Sequence, residues 1–228
     1  MLIFAAILAL ALTNEQAKSV QLTPALHRYV EVRAGEFDEI ASERKKKLDE
    51  IAQFVRGRVA AGQPARLTFI CTHNSRRSHL SQIWAMAAAR YYGVTGVETF
   101  SGGTEATAFN PRAVSALKRA GFDISASETG PQDNPRYRVR FSETDRPMEC
   151  FSKIYREPPN PQTDFCAVMT CSQADASCPV VIGAALRISL PYDDPKAFDG
   201  APDEAERYDE RCKQIAREMV YIFWKAAQ

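Results

Sequence analysis

From Ala65 onward the apolar pattern keeps changing its period. Short runs rich in β-branched and aromatic residues, "RLTFI", "GVETFS", "DFCAVMTCS" and "AALRISL", alternate with stretches whose apolar residues recur every three or four positions. Leu80, Ile83, Trp84, Ala87, Ala88 and Tyr91 mark one helix face. "NPRAVSALKRAG" reads as a second helix, with Pro111 in its first turn and Gly121 at its end, and "APDEAERYDERCKQIAREMVYIFW" as a long closing helix. Parallel strands need crossovers, and helices of this length supply them. The expected class is therefore α/β, a parallel sheet covered on both faces, with ligands gathering at the carboxyl ends of the strands.

One such strand end carries unusual chemistry. In "LTFICTHNSRRSHLSQIWA" the apolar run stops at Cys71, and Thr72, His73, Asn74, Ser75 and Arg76 follow before Arg77 and Ser78 open a helix. A tight loop between a strand and a helix N-terminus gathers backbone N–H groups around one point, which suits a tetrahedral oxyanion. Arg77 adds a fork that grips two oxygens at once, and the positive surroundings favour the thiolate of Cys71. Ser78 can donate a hydroxyl hydrogen bond to that sulfur, and Asn74 tolerates the left-handed backbone that such a loop requires. Substrate binding is thus expected at Thr72, His73, Asn74, Ser75, Arg76 and Arg77. With 29 basic against 28 acidic residues the net charge is +1, so no bulk field argues for nucleic acid, and an anion site has to be built locally in this way.

The loop "CTHNSRRS" resembles the C-x5-R-S loop of the low-molecular-weight protein tyrosine phosphatases and of the thioredoxin-coupled arsenate reductases that share their fold. "SGGTEATAFNPRAVSALKRAGFDIS" resembles the second strand and following helix of that superfamily, and "LPYDDPKAFDG" its aspartate-proline loop before the final helix. "AVMTCSQADASCP" resembles the reductase branch in particular. The resemblance implies a four-stranded parallel sheet flanked by helices, Cys71 as nucleophile, Arg77 as anion clamp, Ser78 as stabiliser of the thiolate and Asp194 as general acid. It also implies that Cys171 attacks the thiol-arsenic adduct and that Cys178 resolves the resulting disulfide, with thioredoxin or another thiol donor as partner and no cofactor or metal. Arsenate reduction is the expected activity. Hydrolysis of phosphate monoesters and a non-catalytic anion- or metal-binding role are the alternatives, although C-x6-C is not a usual half-site for zinc. Three positions depart from the pattern: His73 stands where glycine is usual, Arg76 where the reductases often carry another cysteine, and Gln82 where they use an acidic residue near a monovalent cation. Cys150, Cys166 and Cys212 read as structural thiols.

Outside this region the chain divides into segments. "MLIFAAILALALTNEQA" is too short and too soon polar to span a bilayer, so residues 1–17 read as an export signal, cleaved after Ala11 or Ala17, that directs the chain to the periplasm; otherwise the protein is cytoplasmic. No stable membrane span is expected. Residues 18–64 read as a helical extension in which Phe37, Ile40, Leu48, Ile51, Val55 and Val59 share a face across one helical stretch from Leu22 to about Gly62. Residues 65–228 form the main domain, interrupted at 131–163 by an insertion rich in proline and arginine, a lid, a recognition loop or a plain surface loop.

Overall fold

"RLTFI" is apolar throughout because the strand it forms is buried on both faces, so no polar alternation is needed. In a computed structural model, which describes residues 22–127 and 130–228, the elements in chain order are α1 (Pro24–Ala34), α2 (Ser42–Ala60), β1 (Ala65–Cys71), α3 (Arg77–Tyr91), β2 (Val97–Gly103), α4 (Pro111–Ala120), β3 (Asp123–Ala126), β4 (Tyr137–Arg140), β5 (Met148–Cys150), β6 (Phe165–Met169), α5 (Ser172–Ser177), β7 (Ala184–Ser189) and α6 (Glu204–Ala226). The export signal read at 1–17 lies outside the described residues. No described helix is long and apolar enough to cross a membrane.

Strands β2, β1, β6 and β7 pair in that order, all parallel, with Cys71 opposite Gly103 and Ile70 opposite Met169. Successive side chains of β1 and β6 point to opposite faces. Leu67, Phe69, Cys166 and Val168 join a large core with α1, α2, α3, α4 and α6, while Ile70, Cys71, Phe165, Ala167 and Met169 join a smaller one with Cys171, Ala174 and Val181. Both faces are covered, as expected, but unequally: the second has only the short α5 and loops. Trp84 ties the thicker side together, stacking on Tyr29 at 5.0 Å, meeting Phe122 edge-on at 4.8 Å and donating its indole N–H to Cys212 at 3.2 Å. Burial pushes the Cys212 and Cys150 thiols up to about 12 and the Cys166 thiol up as well.

Two features differ from the sequence reading. The helical stretch from Leu22 to Gly62 is two helices: α1 stops at Gly35, a 3-10 turn at Phe37–Glu39 redirects the chain, and α2 follows. The periodicity carried across the break because both faces serve one core, with Phe37 packed edge-on against Tyr221 of α6 at 5.2 Å. The insertion contributes two strands. Residues 137–140 and 148–150 add β4 and β5 to β3 as a three-stranded antiparallel sheet, Asp123 opposite Arg140 and Tyr137 opposite Cys150. The chain then returns along the end of β2, where the Gly103 N–H donates to the Lys153 carbonyl and the Tyr155 N–H to the Gly103 carbonyl, both at 2.9 Å. That approach explains "SGG": a Cβ on Gly102 would lie 2.3 Å from the Tyr155 Cα, and one on Gly103 would lie 2.1 Å from the Glu105 carbonyl oxygen.

Candidate active site

The carboxyl end of β1 delivers Cys71, 3% exposed, to a loop whose carbonyls are turned outward and used. Thr104 and Glu105 N–H groups donate to the carbonyls of Cys71 and Thr72 at 3.1 and 2.8 Å, and the Asn110 N–H donates to that of Ser75 at 2.9 Å. The Thr107 and Ser152 hydroxyls donate to the His73 carbonyl at 3.0 and 3.1 Å. Among the described residues the N–H groups of His73, Asn74, Ser75 and Arg76 donate to no protein acceptor. Together with the start of α3 at Arg77, they form a donor-lined turn of the kind that holds anions.

Asn74 has φ 43°, the left-handed conformation that this residue type tolerates better than most. Its side chain is fixed from both ends: Nδ2 donates to Ser78 Oγ at 2.9 Å, and Oδ1 accepts from the Lys153 N–H at 2.9 Å. Because Ser78 Oγ already accepts from Asn74, its own proton is free for Cys71 Sγ, 3.2 Å away. The His73 ring leaves the loop and lies 3.7 Å from Glu105. His79, one residue beyond Ser78, is fully buried behind the loop, where Nδ1 meets Ser101 Oγ at 3.2 Å and the ring stacks on Phe109 at 4.0 Å.

The loop that follows β7 places Asp194 against both arginines. Arg76 Nε donates to Asp194 Oδ1 at 2.8 Å and its second nitrogen to Oδ2 at 3.3 Å, while Arg77 donates to Oδ2 at 2.8 Å and to the Tyr192 carbonyl at 2.8 Å. Burial pushes the Asp194 carboxyl up, but the charges of Arg77 and Arg76 and the N–H donors on it outweigh that and hold it below its ordinary value. Arg77, expected as the anion clamp, is paired with Asp194, and Arg76 engages the same carboxylate 118 residues away.

On the other side of the loop, Cys171 lies 3.4 Å from Thr72 Oγ1 and accepts the Ala174 N–H at 3.3 Å, since it caps α5 instead of extending β6. Cys178 follows α5 and is half-buried. Arg187 fixes this end, donating to the Cys178 carbonyl at 3.0 Å and to Asp175 at 2.6 Å. The structure thus brings Cys71, Ser78 and Asn74 together, Arg76, Arg77 and Asp194 together, and Cys171 beside Thr72. Sequence reasoning missed Ser152, Lys153 and His79, for none of them stands in a motif. Gln82, far from free, donates to the Thr99 carbonyl at 3.0 Å. Among the described residues no group of three or more His, Cys, Asp or Glu could hold a metal.

Residues 66–136 match the family described as low molecular weight phosphotyrosine protein phosphatase. An arsenate reductase 2 of Staphylococcus epidermidis is 30% identical over 129 residues, 56% of this chain and 76% of the relative. An arsenate reductase of Brevibacillus brevis is 31% identical over 127 residues, 56% of this chain and 74% of the relative. The chain belongs to the low-molecular-weight protein tyrosine phosphatase family, in its arsenate reductase branch. Among solved structures, the low molecular weight protein tyrosine phosphatase of T. tengcongensis aligns over 71% of this chain and 99% of its own, at 18% identity and a TM-score of 0.46. Beside the four-stranded sheet, this enzyme carries the antiparallel sheet of β3, β4 and β5 and two helices ahead of β1 that pack into its main core.

Proposed function

We propose that the protein reduces arsenate with Cys71 as nucleophile and Cys171 and Cys178 as a thiol relay. The observation that carries this reading is the position of Cys171, 3.4 Å from Thr72 Oγ1 of the loop, with Cys178 at the far end of a single short helix. The Cys71 thiolate, supported by Ser78, attacks arsenic in the loop, and water leaves. Cys171 then attacks the Cys71 sulfur; its electron pair forms the disulfide, while the sulfur–arsenic pair stays with arsenic, which departs as arsenite. Cys178 attacks Cys171, frees Cys71 and leaves a Cys171–Cys178 disulfide for an external dithiol such as thioredoxin to reduce.

The last bond makes a demand on α5. Seven residues of α-helix advance about 10 Å, whereas disulfide Cα atoms usually lie about 4.4–6.8 Å apart. A helix of six residues has little intrinsic stability, so its unwinding is an affordable step. The partly exposed Cys178 is followed by Val180 and Ile182, each 73% exposed, which offers a reducing partner an apolar approach.

Cys71 and its loop suffice to cleave an activated phosphate ester, since water can hydrolyse a thiophosphate, but arsenate turnover needs a second thiol. Cys171→Ser is expected to keep 4-nitrophenyl phosphate hydrolysis within a few-fold and to abolish thioredoxin-coupled arsenite release, whereas Cys71→Ser removes both. Undiminished arsenate turnover in Cys171→Ser, or none in the wild-type protein, would leave monoester hydrolysis as the better reading.

A further inference from the structure

Arg76 is 7% exposed and spends its guanidinium on Asp194. Arg77 reaches the same carboxylate, and the Lys196 N–H donates to Oδ1 at 3.1 Å. The other charged and titratable neighbours do not compete: Tyr208 of α6 donates its hydroxyl to Asp199 at 2.7 Å, and Asp193 turns away to Arg211 at 3.3 Å. Four donors reach the Asp194 carboxyl, two on each oxygen, and an acid proton would have to displace one of them. We infer that Arg76 is a positioning residue that keeps Asp194 an acceptor, restricting turnover to oxyanions whose leaving oxygen brings its own proton or can depart without one.

The inference rests on Cys71 as nucleophile, and the proton balance carries it from there. A thiolate and dihydrogen arsenate, each with one negative charge, give a thioarsenate dianion and water, both of whose protons were already on the arsenate. A thiolate and a phosphate monoester dianion give a thiophosphate dianion and an alcohol only if one proton arrives from outside. A general acid normally supplies it, and a carboxylate held by two guanidiniums has none to give. Esters with weakly basic leaving groups escape the requirement because they depart as the anion. The downward hold of Arg77 and Arg76 on the Asp194 carboxyl, against the upward push of burial, agrees with this geometry.

Arg76→Gln keeps an N–H donor and removes the charge, and Arg76→Lys restores the charge. The measurements are kcat/KM for 4-nitrophenyl phosphate and for phenyl phosphate, and the carbon-13 titration of the Asp194 carboxyl, assigned with Asp194→Asn. The wild-type enzyme is expected to prefer the nitrophenyl ester strongly. In Arg76→Gln that preference should narrow by about tenfold or more as the acid becomes available, the Asp194 midpoint should move up, and Arg76→Lys should reverse both changes. An unchanged preference or an unmoved midpoint overturns the inference. The titration needs no turnover, so if the wild-type protein processed neither ester nor arsenate, the proposed function would fail while an upward midpoint in Arg76→Gln would still uphold the hold of Arg76 on Asp194.

Discussion

His79 shows how much a single side chain behind the loop can govern. Burial and the nearby charge of Lys153 push its pKa well below the ordinary value, against the opposing pull of the Asn74 backbone. The folded protein therefore keeps the ring neutral, while the unfolded chain takes up a proton below about pH 6.5. The sign follows: more protons are bound by the unfolded state, so stability rises with pH across this window and is lost as pH falls below about 6.5, by at most about 1.4 kcal/mol per unit. His79→Gln retains a partner for Ser101 and does not titrate. Urea denaturation between pH 7.5 and 5 should give a shallower fall for the variant than for the wild type; parallel curves would assign the acid sensitivity elsewhere.

At the scale of elements, the inserted segment braces the loop after β1 from its outer side. Asn134 holds Ser152 in place by donating to its carbonyl at 2.8 Å and accepting its N–H at 3.1 Å. Ser152 Oγ in turn accepts the Thr107 N–H at 2.8 Å while donating to His73, and the next residue supplies the N–H that orients Asn74. Burial lowers the Lys153 ammonium to about 8. Ser152→Ala removes the partner of the Thr107 N–H and leaves the His73 carbonyl with the Thr107 hydroxyl alone. A loss of about 1–3 kcal/mol in denaturant unfolding is expected, with roughly a tenfold fall in kcat/KM as the loop loosens. Unchanged kinetics beside the stability loss would mean that the brace serves the fold alone. The composition of 131–163 gave no sign of this, because β4 and β5 are three or four residues long and their pairing partner, β3, lies before the insertion.

Across the whole molecule, the two N-terminal helices reach the far side of the site. Arg44 of α2 donates to Glu218 of α6 at 2.5 Å and to the Pro191 carbonyl at 3.1 Å, and its guanidinium lies 4.6 Å over the Tyr192 ring. Tyr192 completes the network by donating to Glu218 at 2.7 Å, and its own carbonyl accepts from Arg77. Arg44→Ala strands a Glu218 side chain that is 2% exposed, a loss of about 3 kcal/mol; Glu218→Gln in the same chain should recover part of it. One cooperative urea transition, shifted as a whole, is expected, whereas a separate early transition would make the helices an independent unit. What the sequence determined by itself is local: the strand-helix alternation, the strand-loop-helix around Cys71, the left-handed Asn74, and the helix bounded by Pro111 and Gly121, each set by residues a few positions apart whose backbone preferences and spacing act directly. The pairings that tune the site were decided only in three dimensions. Arg76 meets Asp194 across 118 residues, Ser152 meets His73 across 79, and Arg44 meets Glu218 across 174. No local preference selects among the 28 acidic residues that Arg76 could have met; closure of the sheet brings the ends of β1 and β7 to one edge, and burial there requires each charge to find its partner.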